Sequence, residues 1–109
     1  MARAPTTLDV FNAIAESRRR DILSLLAAHE RPVADIVELL GLEQPSVSKH
    51  LRVLRDVDLV RVRRQGKQMY YRTHADALKP VHAWSGSFKE YWRSQLHRIK
   101  DRAEKGASR

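Results

Sequence analysis

At Asp58 the hydrophobic period of the chain changes from 3.6 residues to 2, and that change limits the folds open to it. Upstream, Val47, Leu51 and Leu54 fall within about 60° of one another on a helix and make a single core-facing stripe. Downstream, Leu59-Val60-Arg61-Val62-Arg63-Arg64 alternates, Gln65-Gly66-Lys67 turns, and Gln68-Met69-Tyr70-Tyr71-Arg72 returns. That second pattern is a β-hairpin over residues 59–73. A mainly α fold carrying one small hairpin follows.

The preceding segments read as helices. Leu8, Val10, Phe11, Ile14 and Ala15 form a short apolar helix that Thr6 or Thr7 can cap. Ser17 can cap a second, running from Arg18 to about Ala28 with Ile22, Leu23, Leu25 and Leu26 as its buried face. Arg18, Arg19 and Arg20 in its first turn oppose the helix macrodipole, at about 0.3–1 kcal/mol each, a cost that an acidic or phosphate partner would offset. These two helices span 6–30. A third begins at Pro32 or Val33, carries Ile36, Val37, Leu39 and Leu40, and stops at Gly41, a natural left-handed C-cap. Gly41 to Glu43 is then a turn, and Pro45, whose φ suits a first helical turn, opens the next helix where Glu43 or Gln44 stands in the cap position. Over 33–57 this is a helix-turn-helix.

The second helix of that pair presents Ser46, Ser48, Lys49 and Arg52 around the arc away from its apolar stripe, with His50 and Arg55 at the margins and Gln44 at the opening turn. Short hydroxyl and amide groups near a helix start let a backbone approach base edges, and cations further along suit phosphates. An ordinary amphipathic surface helix would show the same spacing. The hairpin behind it decides between the two, because Arg61, Arg63, Arg64, Lys67 and Arg72 crowd onto it. A basic hairpin directly after a helix-turn-helix is a wing, and the 21 Lys and Arg against 13 Asp and Glu, net +8, fit a nucleic-acid partner. The expected readers of bases are Gln44, Ser46, Ser48 and His50, with buttressing of the recognition helix the alternative for His50; Lys49, Arg52, Arg63, Arg64 and Lys67 are expected to meet phosphates.

From Ala75 or Asp76 the chain carries Leu78, Val81, Trp84, Phe88, Trp92, Leu96 and Ile99 at spacings of three and four. The spacing predicts one long amphipathic helix over 75–104, with Pro80 the place for a kink and a polar, fraying tail DRAEKGASR. With 109 residues there is one domain and little of it left to cover two Trp on one face, so the helix is expected to pack on its equivalent in a second subunit. Phe11, Trp84, Phe88, Trp92 and Leu96 are the expected interface of a homodimer; in the alternative, Trp84 and Phe88 cover the domain core of a monomer.

The run A-E-S-R-R-R-D-I-L-S-L-L, then L-E-Q-P-S-V-S-K-H-L-R-V-L, then V-R-R-Q-G-K-Q-M-Y-Y resembles the ArsR family of bacterial winged helix-turn-helix repressors over nearly the whole chain. The resemblance implies a homodimer joined by its first and last helices, binding an imperfect palindrome in operator DNA and repressing transcription. Ser17 and Arg18 stand where relatives often carry Pro-Thr. Many members release DNA when metal binds cysteines on the third helix or Asp and His on the last. Here there is no cysteine, the third helix reads V-A-D-I-V-E-L-L, and His82 and His97 lie fifteen residues apart. The segment W-S-G-S-F-K-E-Y-W-R-S-Q-L resembles the metal-independent branch, often autorepressors, and no cofactor and no metal site are expected. A metal-responsive repressor using His, Asp and Glu is the alternative within the family.

Two other classes remain open. A nonspecific architectural DNA binder would show a steep salt dependence without sequence preference; a protein-interaction module would use the Trp-rich helix on a different chain. An enzyme is the class the residues favour least and none is expected, since Ser48 and His50, two apart on a helix, do not face each other and no Gly-rich phosphate loop or carboxylate pair accompanies them. No stretch is apolar enough to span a bilayer and MARAPTT lacks a signal core, so no membrane partner is expected and a cytoplasmic location is. The residues name neither an operator nor an inducer.

Overall fold

The computed structural model describes the backbone of residues 6–107 and the side chains of residues 10–104. Helices α1 (Thr6–Ile14), α2 (Ser17–Ala28), α3 (Val33–Leu40) and α4 (Gln44–Asp56) precede strands β1 (Val60–Gln65) and β2 (Gln68–Thr73). A 3₁₀ turn (Ala75–Leu78), α5 (Lys79–Gly86) and α6 (Lys89–Ala107) complete the chain. The cap expected at Thr6 or Thr7 lies outside the described side chains.

One core holds these elements together. Val10 and Ala13 of α1, Ile22, Leu23 and Leu26 of α2, Ile36 of α3, Val47, Leu51 and Leu54 of α4, and Leu59 and Val60 at the hairpin entry are all buried. The stripe expected on α4 is thus its inner face. Leu25 is only half-buried, and Leu39, expected inside, is 54% exposed, because the short α3 turns only Ile36 fully inward.

Ser17 does not cap α2. It is the first helical residue, and Glu16 takes the cap position with extended backbone but no side-chain bond to the exposed N–H groups. Two arginines of the first turn find partners, and Arg19 pairs with the acid Glu16 at 3.5 Å. Arg19 donates through Nε to Ala13 O, and Arg20 Nη1 donates to Ile14 O at 2.8 Å and Ala15 O at 3.1 Å. They occupy the carbonyl-rich end of α1, where cations and orphan C=O groups stabilise one another. A placement that is unfavourable for α2 is favourable for α1.

Helix α4 ends in a left-handed residue that is not glycine. Asp58 has φ 61°, its N–H bonds to Arg55 O at 3.0 Å, and Leu59 N–H reaches back to Leu54 O at 2.9 Å. This is the Schellman pattern, and the apolar contact that accompanies it joins two fully buried leucines. The Asp58 carboxylate accepts from Arg61 Nε and Nη2 at 3.3 and 3.1 Å, fastening the cap to β1.

The strands pair antiparallel in the register Val62↔Tyr71 and Arg63↔Tyr70, closed by Gly66 and Lys67. Gly66, at φ 62°, supplies the positive φ that such a two-residue turn needs at its first position. Arg31 adds a bridge to the outer side of β2, its N–H and C=O each bonded to Tyr71 at 2.9 Å. Thr73 Oγ1 donates to Leu23 O at 2.7 Å, so β2 is tied to both α2 and the segment after it.

The single C-terminal helix expected over 75–104 is three pieces. The break falls after Gly86, where Ser87 N–H turns back to Ala83 O and Trp84 O and the Ser87 hydroxyl donates to Trp84 O. Glycine costs a helix interior about 1 kcal/mol relative to alanine, and Ser87 offers the backbone a competing partner. The tail expected to fray is helical to Ala107, with His97 Nε2 3.7 Å from Asp101 and an ion pair between Lys100 and Glu104, each one turn apart.

Candidate nucleic-acid interface

Two elements converge to make the site. On α4, Gln44, Ser48, Lys49, Arg52 and Arg55 are exposed, and Ser46 is half-buried. Facing them, β2 brings Tyr71 to the wall of an open cleft of about 550 Å³ lined also by Ser48, Leu51, Arg52, Arg55 and Asp56. Hydroxyl, guanidinium and phenol groups therefore share one surface. Arg55 and Tyr71 extend the site beyond the residues expected to touch DNA. Strand alternation carries the signal for Tyr71, since it pairs with Val62 and shares its face.

His50 is placed otherwise than expected. It is 8% exposed, turned inward with Nε2 3.9 Å from Glu16 Oε1, and Nδ1 is buried without a partner among the described residues. On the helical wheel His50 stands about 40° beyond Leu54, at the margin of the apolar arc, and here it is turned to the buried side toward Glu16. It buttresses α4 from behind.

The wing divides its cations. Arg64 donates to Gly66 O at 3.1 Å, and Lys67 sits exposed at the tip; among the described residues neither forms an ion pair, nor do Lys49, Arg52, Arg55 and Arg72. Arg63 is exposed but engaged. It pairs with Glu30, donates through Nη1 to Gln65 Oε1 at 2.7 Å, and lies 4.8 Å over the Tyr70 ring. The Arg63 hydrogen bonds hold the Glu30 carboxyl below the ordinary carboxylate range, and those from Arg61 do the same for Asp58.

A second surface is apolar. Trp84, Phe88, Trp92 and Leu96 are exposed, joined by Tyr91 and Ile99. Half-buried Phe11 meets Trp84 edge-on at 5.8 Å, and Trp84 meets Phe88 at 5.5 Å, so α1 and α5 share one aromatic cluster that continues along α6. Among the described residues no three His, Asp or Glu side chains stand close enough to hold a metal ion, and no described helix is long and apolar enough to cross a membrane.

This architecture is shared with proteins of known class. The family model for "Bacterial regulatory protein, arsR family" matches residues 16–62. The transcriptional repressor SdpR of Bacillus subtilis is 32% identical over 73% of this chain and 89% of its own length. The HTH-type transcriptional regulator KmtR of Mycobacterium tuberculosis is 42% identical over 68% of this chain, which spans 57% of it. Among solved structures, the homodimeric winged helix-turn-helix DNA-binding domain Mb0332 of Mycobacterium bovis superposes with a TM-score of 0.65 at 31% identity, covering 82% of this chain and 83% of that one. On these likenesses and this fold the chain belongs to the ArsR family of bacterial regulatory proteins, as a winged helix-turn-helix transcriptional regulator and not an enzyme.

Proposed function

We propose that the protein is a homodimeric repressor that binds a two-fold symmetric operator, with α4 in the major groove and the wing on flanking phosphates. The observation that carries this reading is the exposed stripe Gln44, Ser48, Arg52, Arg55 beside a cleft whose far wall is the wing, with cations on both sides that have no acidic partner among the described residues. Gln44, Ser46 and Ser48 read base edges in this assignment. Lys49, Arg52, Arg64 and Lys67 meet phosphates.

The dimer reading rests on exposure that one chain cannot cover: Trp84 is 60% and Leu96 66% exposed on a continuous stripe. A surface of that kind marks an interaction site. A second copy placed on it brings two α4 helices to one face of a duplex, about 34 Å apart. The Mb0332 domain is itself homodimeric, which supports a dimer here.

The test is binding to DNA upstream of the protein's own gene against a scrambled fragment at about 0.15 M salt, where nonspecific attraction is screened. A preference of about a thousandfold is expected, with two symmetric half-sites in the footprint. Near-equal binding would favour a nonspecific architectural protein.

A further inference from the structure

Arg63 of the basic wing has donors already committed to the protein, as Arg61 has to Asp58. Arg63 offers Nε and Nη2 to the two oxygens of Glu30, with Nε at 3.1 and 2.8 Å, and Nη1 to Gln65 Oε1, while Tyr70 covers one face of the guanidinium. Glu30 does not belong to the wing. It lies in the segment between α2 and α3, next to Arg31, whose backbone is bonded to Tyr71 in both directions. The side-chain clamp from Glu30 to β1 and the main-chain bridge from Arg31 to β2 thus fasten the hairpin to the body at adjoining points.

The geometry points to Glu30 and Arg63 as a positioning pair that sets the angle of the wing to α4, with Arg63 acting on DNA through that angle and not as a phosphate ligand. A bidentate carboxylate pair fixes both distance and plane, which a single point contact does not. The surroundings favour the assignment. Arg61 and Arg72 stand directly opposite each other in the register on the same face, an arrangement that like charges disfavour, and Glu30 and Asp58 are the acids that temper it. Releasing Glu30 would leave three arginines on one face of the hairpin without the acid they share, and the wing would lose its side-chain tie to the segment before α3.

This inference rests on the DNA-binding reading only for its second test. The first uses the free, whole chain: amide exchange at Arg31 and Tyr71, whose N–H groups form the bridge, in Glu30→Gln. Exchange about threefold or more faster at these two amides, with Leu51 and Leu54 unchanged, is expected, since local openings follow local contacts. Unchanged exchange overturns the clamp whatever the DNA result.

The second test uses the sign of the affinity change. Glu30→Gln raises the net charge above +8, so charge alone predicts tighter DNA binding. The clamp predicts the opposite, a rise in Kd of about threefold to tenfold that is not repeated when Glu30→Gln is made in an Arg63→Ala background. Arg63→Ala should leave the slope of log K against log salt unchanged, whereas Lys67→Ala flattens it by about one unit. Tighter binding by Glu30→Gln, or a flattened slope in Arg63→Ala, would make Arg63 a phosphate ligand and end the proposal. A wild-type protein that shifts no DNA fails the functional reading alone, and the exchange test still judges the clamp.

Discussion

Asp58 is a single residue on which a helix end, a strand start and a backbone strain meet. Left-handed φ costs a residue with a Cβ about 1–2 kcal/mol, less for Asp, whose short side chain bonds locally. Asp58→Ala keeps the strain and loses the Arg61 and His74 contacts, while Asp58→Gly loses the contacts but relieves the strain. Urea unfolding should therefore place Asp58→Ala below Asp58→Gly by about 1 kcal/mol, and the reverse order would mean that the left-handed backbone is not what makes this position sensitive. His50 makes the complementary case. Buried behind α4, it is expected to alter stability and not base choice: His50→Gln should cost about 0.5–3 kcal/mol in unfolding while the ratio of operator to random affinity stays within about twofold. A large loss of that ratio would return His50 to the reading face. Spacing makes the stripe Val47, Leu51 and Leu54 legible, because large apolar residues have one place to go. A histidine fits either side of a helix, and only the packing of Glu16 against α4 decides it.

At the scale of elements, periodicity identifies each helix of the helix-turn-helix and the hairpin, since each buries one face against the same core. It fails in the last third for a physical reason. The stripe Trp84, Phe88, Trp92, Leu96 keeps helical spacing through the turn at Ser87, so the pattern cannot show the break that Gly86 and Ser87 introduce. Arg19 and Arg20 look unfavourable within their own helix, yet the carbonyls they serve lie at the end of the preceding one, a contact between helices that no rule for a single helix contains. The hairpin also has an acid limit. Glu30 and Asp58 are both held below the ordinary carboxylate range by their arginine bonds. A carboxylate whose folded pKa is depressed contributes stability above its unfolded value, near 4, and loses it as pH falls through the lower folded value. Wing protection against amide exchange, corrected for intrinsic rates, should hold from about pH 8 to 5 and decline below about 4. Protection that rises on acidification would contradict both pairs.

The whole molecule is extended for its length. Its Cα radius of gyration is 18.7 Å, against about 13 Å for a compact chain of 100 residues, because α6 runs on past the core. A helix of this kind gains little from its own chain: Trp92 and Leu96 are about half or more exposed, and its charged face is lined with pairs such as Arg93 with Glu90 that contribute little when solvated. In the proposed homodimer the partner surface supplies that stability, and the aromatic continuity from Phe11 through Trp84 to Phe88 makes α1 and α5 part of the same surface. Trp92→Ala removes the centre of that stripe without touching α4 or the wing. Sedimentation at micromolar concentration should then give a lighter species than the parent protein. Because joining two modules multiplies affinity by about 10²–10⁴ without new contacts, operator binding should fall in the same proportion while binding to a single half-site is kept. An unchanged mass would remove α6 from the interface, and a changed mass with unchanged operator binding would mean that one α4 and one wing suffice to hold the DNA.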